Sequence, residues 1–364
     1  MLIKLGILCA VILTVATVLV SLPEVEKNVN LDLNTAVNLT GRNRERSIME
    51  YHPPPESLPS MNITSFLEDP TEREWKGPFT FIQGADTQFG MIDHYLLKKD
   101  EPNWDKEIAL TRDVIQRINA MNPKPKFFVV CGDMLDAFPY TVSQNSREFP
   151  GALELREKQY QDFVQVFKEL VSDVKLVCVC GNHDIGDTPT KETLQVYKRQ
   201  FGQDYFSFWA GGVKFVVLNS QYIYVPDAIP EETERQMQFM DGIADPKAKF
   251  IVLFMHIPLF VEEPEEEDFY FNVPKERRLQ LLEKFYTAGV RYIFCGHYHR
   301  NAGGRYKKLE LVVTSAIGAP LGDNPSGYRI VNVGEDEISH NYVTIRDSTD
   351  FSNSNEDTSN SNES

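Results

Sequence analysis

The chain has 364 residues, of which 42% are hydrophobic and 25% are charged, an ordinary globular composition that excludes wholesale disorder and a multispanning membrane protein. There are 37 Lys and Arg residues against 53 Asp and Glu residues, which gives a net charge of -16. This acidic balance argues against a protein that binds the nucleic-acid backbone, because neutralising phosphates requires clustered cations.

The N-terminal segment carries information about the compartment. Residues 5–22 contain no charged side chain and are mostly Val, Leu, Ile and Ala. The run is longer than a usual signal-peptide core, reaches the lower limit for a spanning helix and lacks a good cleavage site. We therefore expect residues 1–22 to be an uncleaved signal-anchor, with a cleaved signal peptide as the alternative.

Two polar, aperiodic segments flank the rest of the chain. Residues 23–74 include three consecutive prolines and are predicted to be a linker or stalk, with glycosylation sequons at Asn38 and Asn62. Residues 347–364 are almost free of apolar groups and are predicted to be a disordered tail. The sequons and the apolar N-terminus together favour a membrane-anchored protein with a lumenal or extracellular folded domain, or a secreted one if the anchor is cleaved.

Between residues 75 and 346, strand and helix patterns alternate. The predicted strands are 79–83, 127–131, 174–180, 206–209, 213–218, 250–255, 291–295, 311–315, 328–333 and 338–345. The predicted helices lie around 104–118, 160–171 and 275–288. This order predicts one mixed α/β domain over residues 75–346. Four cysteines end apolar runs without any CxxC pair, so we expect small buried side chains rather than thiolate ligands.

Polar residues follow five of the predicted strands, each at the point where the strand ends. They are Asp86 and Gln88, then Asp133, then Asn182, His183 and Asp184, then His256, and finally His297 and His299. Each one alone could be a turn residue, a helix cap or a satisfied core histidine. Together, five such junctions favour a metal site, because ligand sites in α/β sheets gather at the carboxyl ends of strands. Asp, Asn and His side chains suit Zn, Fe or Mn.

The motifs Gly132-Asp133, GNHD at 181–184 and GHYH at 296–299 resemble those of the calcineurin-like metallophosphoesterase superfamily. The resemblance runs from about residue 75 to the late 340s. It implies an α/β fold, a four-layer sandwich of two mixed β-sheets flanked by helices, with two divalent metal ions (Mn, Fe or Zn). It also leaves a cytosolic location open as the alternative to a lumenal one.

The resemblance implies a role for each junction residue. Asp133 would bridge the two ions; Asp86 and His299 would bind the first; Asn182, His256 and His297 would bind the second. His183 would protonate the leaving group or stabilise charge on the transition state, and Asp184 would orient its ring. The superfamily usually has His where this chain has Gln88, so Gln88 is either a weaker ligand or lies outside the ligand set, and we expect a loosely held first metal.

Three further features have two interpretations each. Asp136 is expected to support the ligands rather than join them. Arg300 and Asn301 could contact a substrate phosphate or be plain surface residues. The acidic segment Glu262–Asp268 is typical of a solvated loop, but it could also line the mouth of the cleft and select basic phosphopeptides.

The expected reaction is metal-dependent hydrolysis of a phosphomonoester, with a phosphoserine or phosphothreonine protein or a small phosphoester as substrate. The alternatives are a phosphodiesterase acting on a nucleotide or lipid headgroup, and a metal-binding scaffold without turnover. No nucleic-acid partner is expected, and membrane contact would run through residues 5–22.

Overall fold

The computed structural model describes residues 69–139 and 152–345. The predicted signal-anchor, the sequons at Asn38 and Asn62, and the polar tail all lie outside the described residues. Among the helices of these two ranges, none has both the length and the apolar character that a membrane span requires.

The described residues form eleven strands. They are β1 (Phe79–Gly84), β2 (Phe127–Cys131), β3 (Lys175–Val179), β4 (Phe206–Ala210), β5 (Val213–Val217), β6 (Ile251–Phe254), β7 (Val290–Cys295), β8 (Ala302–Tyr306), β9 (Leu309–Val313), β10 (Gly327–Val333) and β11 (Ile338–Thr344). The α-helices of the same ranges are α1 (Asp105–Ala120), α2 (Ala152–Phe167), α3 (Asn182–Ile185), α4 (Lys191–Phe201), α5 (Gln221–Tyr224), α6 (Pro230–Met240) and α7 (Lys275–Thr287). A 3-10 helix covers Pro70–Arg73 and a π-helical turn covers Ile92–Leu96.

The strands make two mixed sheets. The first has the order β11-β10-β1-β2-β3, in which β1, β2 and β3 are parallel and β10 and β11 are antiparallel additions. The second has the order β4-β5-β6-β7-β9-β8, in which β5, β6, β7 and β9 are parallel between two antiparallel edge strands. The carboxyl ends of the parallel strands in each sheet therefore carry the loops that follow β1, β2, β3, β6 and β7.

Three apolar layers hold the sheets and helices together. Between the sheets lies an aromatic core, in which Phe81 packs against Phe127 at 4.8 Å between ring centroids and contacts Phe215, Phe254 and Phe294 edge-on. One outer layer joins the first sheet to α1, α2 and α4, and another joins the second sheet to α7. The predicted sandwich of two mixed sheets flanked by helices is confirmed.

Among the eleven strands of the described residues, β8 is the one that was not predicted from the sequence. The predicted strands are apolar runs, whereas β8 reads Ala-Gly-Gly-Arg-Tyr and has neither an apolar run nor β-branched residues. It forms because it adds as an antiparallel edge to β9. The helices α3, α4, α5 and α6 were also not predicted.

The predicted linker ends earlier than residue 74. Glu72 accepts hydrogen bonds from Lys126 Nζ at 3.0 Å, and its backbone oxygen accepts from the backbone N–H of Gly212 at 2.8 Å. The guanidinium of Arg73 lies 5.3 Å from the ring centroid of Trp209. Residues 70–74 thus pack on the sandwich, because their polar groups find partners at the start of β2 and in the β4–β5 turn.

Candidate metal centre

The polar residues that follow the five strands meet at one edge of the sandwich. Asp86 follows β1 and Asp133 follows β2, whereas Asn182 opens the short helix α3 after β3. His256 follows β6, and His297 and His299 follow β7, so both sheets contribute. The expectation that these junctions converge is therefore met by the backbone topology.

Two overlapping sets of side chains have the spacing of metal ligands. One is Asp133, His256 and His297, and the other is Asp86, Asp133 and His299; within each set the ligand atoms lie within 4.8 Å of one another. All five side chains are buried. Asp133 belongs to both sets, which is the arrangement expected of a carboxylate between two cations.

Each histidine of these sets is oriented by a backbone carbonyl. His256 donates from Nδ1 to the oxygen of Cys131 at 2.8 Å, and His299 donates from Nδ1 to the oxygen of Ala319 at 2.5 Å. His297 uses its other nitrogen, Nε2, which lies 3.2 Å from the oxygen of Tyr270. A hydrogen bond of this kind fixes the tautomer and leaves the second ring nitrogen as the ligand atom.

Asn182 presents its oxygen to the same place. Its Oδ1 lies 3.0 Å from Nε2 of His256, which is itself 3.2 Å from Oδ2 of Asp133. Its Nδ2 donates to Asp187 at 2.9 Å and lies 3.4 Å from the hydroxyl of Tyr270. The amide is thereby turned so that oxygen, the possible ligand atom, faces the histidine and the carboxylate.

Gln88 is the residue whose role the sequence left open. Its side chain is buried, and its Oε1 has no hydrogen-bond partner among the described residues. A buried acceptor without a hydrogen-bond partner costs free energy unless a cation or a water molecule satisfies it. The donor set of Asp, Asn, His and Gln oxygens and nitrogens thus fits divalent metal ions.

The backbone at the site is strained. Among the described residues, seven non-glycine residues have positive φ, and five of them are at the site: Asp86 (φ 52), Gln88 (φ 38), Asp133 (φ 53), His297 (φ 68) and His299 (φ 55). Such conformations cost on the order of 1 to 3 kcal/mol each and persist where the surroundings hold them. Hydrogen bonds between neighbouring loops do so here, from the N–H of Gln88 to the oxygen of Asp133 and from the N–H of His297 to the Asp86 carboxylate.

Two glycines are required by close approach. Gly132 has φ +86, and a Cβ there would lie 2.2 Å from Nδ1 of His256. A Cβ at Gly181 would lie 2.1 Å from Oδ1 of Asp133. Any side chain at either position would displace a residue of the two ligand sets.

The charges at the site influence one another strongly. Burial lowers the pKa of His297 to about 3, with His256 adding to the effect, so His297 is a neutral imidazole. Burial acts against the charged form of His256 as well, but Asp133 and Asp86 outweigh it and raise its pKa to about 9. Burial and the charge of Asp133 raise the pKa of Asp184 to about 6. This concentration of buried carboxylates and imidazoles is typical of a functional site.

His183 lies beside these sets, but Asp184 does not orient its ring. The Asp184 carboxylate accepts the backbone N–H groups of Asp133, Met134 and Gly181, at 2.8, 3.2 and 2.8 Å. It turns back because it is the third residue of α3 and caps the N-terminus of that helix. The expected role of Asp184 is therefore corrected: it fixes the loops after β2 and β3 to one another.

The ring of His183 is held by the segment that follows β2. Its Nδ1 donates to the backbone oxygen of Asp136 at 2.7 Å and lies 3.7 Å from Oδ1 of the same residue. Phe138 stacks on the ring with a centroid distance of 4.2 Å. Burial opposes the charged ring, but Asp133 and Asp136 outweigh it and raise the pKa of His183. Nε2 is then the atom left to face a ligand.

The two predicted substrate contacts differ. The guanidinium of Arg300 lies 4.9 Å from the ring centroid of Tyr298 and is partly exposed at the edge of the site. Asn301 instead accepts from Arg329 at 2.8 Å through Oδ1, and its backbone N–H donates to Asn324. Its side chain serves the packing at the start of β8, so Asn301 is corrected to a structural residue.

Three residues near the site were missed by the sequence analysis. Tyr270 contacts Asn182 and lies with its ring 5.1 Å from that of His297. Phe138 stacks on His183, and His94 contacts Asp136. No motif marks them, because each comes from a loop or a turn whose path is decided by tertiary packing.

Comparison with known proteins agrees with this geometry. The family model of the calcineurin-like phosphoesterases matches residues 79–301. Serine/threonine-protein phosphatase CPPED1 of Mus musculus is 44% identical over 281 residues, 75% of this chain and 86% of that protein. The Homo sapiens protein of that name is 45% identical over 282 residues, with the same shares covered.

The fold is also found among solved structures. GAP50, described as the anchor in the inner membrane complex of Plasmodium, matches with a TM-score of 0.51 at 13% identity, over 74% of this chain and 85% of that one. At this identity the match supports the architecture alone. With the family model covering most of the domain and relatives above 40% identity, this chain belongs to the calcineurin-like phosphoesterase family, a family of metal-dependent hydrolases.

Proposed function

We propose that this protein is a phosphomonoesterase that uses two divalent cations (Mn, Fe or Zn) and acts on phosphoserine or phosphothreonine in proteins. The single observation that carries the proposal is the position of Asp133, whose carboxylate is common to two sets of buried ligands at the ends of β1, β2, β6 and β7.

The proposed ligands form two groups, one for each cation. Asp86, Asp133, His299 and the buried Oε1 of Gln88 would hold the first, and Asp133, Asn182, His256 and His297 would hold the second. When bound, such a pair of ions supplies an activated water and neutralises charge on the phosphoryl oxygens.

His183 is the proposed general acid. Its Nδ1–H is committed to the backbone oxygen of Asp136, so the proton for a leaving alkoxide would come from Nε2. The stacked ring of Phe138 and the carbonyl together allow little rotation of the imidazole. Arg300, partly exposed at the rim, would pair with a phosphoryl oxygen.

The substrate class is supported by two observations. The Mus musculus and Homo sapiens CPPED1 relatives are named serine/threonine-protein phosphatases and are 44% and 45% identical to this chain over the aligned residues. The rim of the site carries the exposed side chains of Phe269 and Tyr270, beside the acidic segment. Aromatic and acidic groups at an open rim suit a polypeptide that flanks the phosphate better than they suit a free nucleotide.

The test measures turnover of phosphopeptides, small phosphomonoesters and phosphodiesters by the full-length protein and by its His183→Asn variant, each with added Mn²⁺. We expect turnover of phosphoserine and phosphothreonine peptides, reduced by about 10²- to 10⁴-fold in the variant, with the metal content unchanged. Hydrolysis of phosphodiesters alone would replace the proposal with the phosphodiesterase alternative. Metal binding without turnover of any substrate would replace it with the scaffold alternative.

The location is a further part of the proposal. The uncharged apolar run over residues 5–22 and the sequons at Asn38 and Asn62 support a membrane-anchored protein with a lumenal or extracellular catalytic domain. A mass shift on treatment with an N-glycosidase, absent from the Asn38→Gln/Asn62→Gln variant, is expected. An unglycosylated protein in the soluble fraction would favour the cytosolic alternative.

A further inference from the structure

Asp136 lies between two imidazole rings beside the proposed metal centre. Its side chain is only 3% exposed, and its Oδ2 is 2.6 Å from Nδ1 of His94. Its backbone oxygen accepts from Nδ1 of His183 at 2.7 Å. Its Oδ1 is 3.7 Å from the same nitrogen and has no hydrogen-bond partner within the described ranges. Among residues 69–139 and 152–345, the close donor to this buried carboxylate is the ring of His94.

His94 comes from an unusual piece of backbone. It is the third residue of the π-helical turn Ile92–Leu96, and its N–H donates to the oxygen of Gly90 at 3.0 Å. The neighbouring Asp93 accepts from the backbone N–H of Asn103 at 3.0 Å and from Lys99 at 2.8 Å. Single π-helical turns are rare and occur often at functional sites. The backbone of the turn is anchored on both sides, and the Asp136 carboxylate holds the His94 ring through Nδ1.

The consequence of this contact reaches His183 through a short segment. A buried carboxylate that loses its charge-assisted hydrogen bond is unfavourable and is expected to turn toward solvent. Both groups that hold the His183 ring, the carbonyl of Asp136 and the side chain of Phe138, lie in this same segment. A movement of residues 136–138 would therefore release the ring of His183.

We propose that His94 is a positioning residue of this site: by holding Asp136 it holds the ring of His183 in one orientation. The kinetic consequence rests on the proposed function, because only there does His183 donate a proton. His94 itself is placed outside the ligand sets and is not proposed to contact the substrate.

The kinetic test uses three variants of the full-length protein. His94→Leu removes the donor; His94→Asn keeps an N–H close to where Nδ1 stands; Tyr95→Ala changes the exposed neighbour on the same turn and is the control. Each is measured on an alkyl phosphomonoester, whose alkoxide needs a proton, and on p-nitrophenyl phosphate, whose phenolate leaves without one.

For His94→Leu we expect kcat on the alkyl ester to fall about 10- to 100-fold, with KM within about 3-fold. On p-nitrophenyl phosphate the loss should be less than about 3-fold, because a good leaving group needs little acid catalysis. His94→Asn should restore most of the activity, and Tyr95→Ala should match the wild type. Equal losses on both substrates, or a rise in KM alone, would overturn the positioning role.

A spectroscopic measurement decides the matter without turnover. In long-range ¹H–¹⁵N spectra of the imidazoles, recorded at a pH at which the His183 ring is neutral, we expect His183 of the wild type to show the single tautomer that keeps the proton on Nδ1. His94→Leu should show exchange-broadened or averaged His183 signals, and His94→Asn the wild-type pattern. An unchanged His183 spectrum in His94→Leu refutes the inference, even if the wild type hydrolyses no phosphomonoester and the proposed function fails.

Discussion

At the scale of single residues, Gln88 stands where the superfamily usually has a histidine. Its backbone is in the left-handed region and its buried Oε1 lacks a partner among the described residues, so the chain keeps a strained, unsatisfied position at the metal centre. An amide oxygen is a neutral ligand and weaker than imidazole for Mn, Fe or Zn. The first cation, which Asp86, Asp133, His299 and Gln88 would hold, should therefore be the more weakly bound of the two.

Replacing Gln88 tests this difference directly. After dialysis, we expect the wild type to lose one ion readily, Gln88→His to retain it, and Gln88→Leu to lose it fastest. The affinity of the first site for its metal ion should be at least about 10-fold higher in Gln88→His, because even contacts outside the ligand set are worth that much. Elemental analysis gives the metal per chain, with His183→Asn as a control of unchanged content. Two tightly retained ions in the wild type would contradict a weak first site.

At the scale of elements, the acidic segment Glu262–Asp268 has two parts with different roles. Glu266 accepts backbone N–H groups from Val261, Glu262 and Glu263 at 2.9, 2.8 and 3.1 Å, and Asn272 donates to it at 2.7 Å. Although partial burial acts against it, these hydrogen bonds lower the pKa of Glu266. The buried guanidinium of Arg278 lies 3.5 Å from the same carboxylate. Glu262, Glu263 and Glu267 are exposed instead.

Neutral substitutions should separate the two parts. Glu266→Gln places an NH₂ group against backbone donors and leaves the buried Arg278 short of a carboxylate, so we expect a loss of about 2 to 3 kcal/mol in urea unfolding. Glu262→Gln/Glu263→Gln/Glu267→Gln should stay within about 0.5 kcal/mol of the wild type. The triple variant should also show a smaller kcat/KM preference for phosphopeptides with flanking Lys or Arg over those without, by about 3- to 10-fold at low salt. An unchanged preference would show that the segment takes no part in selection.

Elements whose signal is a local pattern of residues could be predicted from the sequence, whereas contacts between residues distant in sequence could not. Strands such as β2 and β6 are buried on both faces and appear in the sequence as apolar runs. The residues after them could be assigned to one site because the topology of parallel strands brings their ends together. Asp184, Asn301 and His94 could not be assigned, because their partners are backbone atoms or side chains distant in sequence, at positions that only the folded loops define.

At the scale of the whole molecule, the two ends of the sandwich are built differently. The metal end consists of strained loops held by hydrogen bonds from one loop to the next. At the opposite end, where β2 and β5 begin, the two sheets are joined by residues 70–74, which were predicted to belong to the linker. There Glu72 contacts Lys126, which precedes β2 in the first sheet, and also the β4–β5 turn of the second sheet. This segment connects the sheets and does not merely lead into them.

Truncation on either side of this segment measures its contribution. A protein that begins at residue 75 loses Glu72, which leaves the part-buried Lys126 without its carboxylate and the N–H of Gly211 without its acceptor. It also loses the contact of Arg73 with Trp209. We expect it to be about 2 to 4 kcal/mol less stable in urea unfolding than a protein that begins at residue 69. The longer protein with Glu72→Gln should lie between the two, because it keeps the backbone hydrogen bond to Gly212 but not the ion pair. Both truncated proteins should bind the same number of metal ions, since the metal centre lies at the other end of the strands. Equal unfolding midpoints for the two would mean that the folded domain begins at residue 75, as the sequence analysis expected.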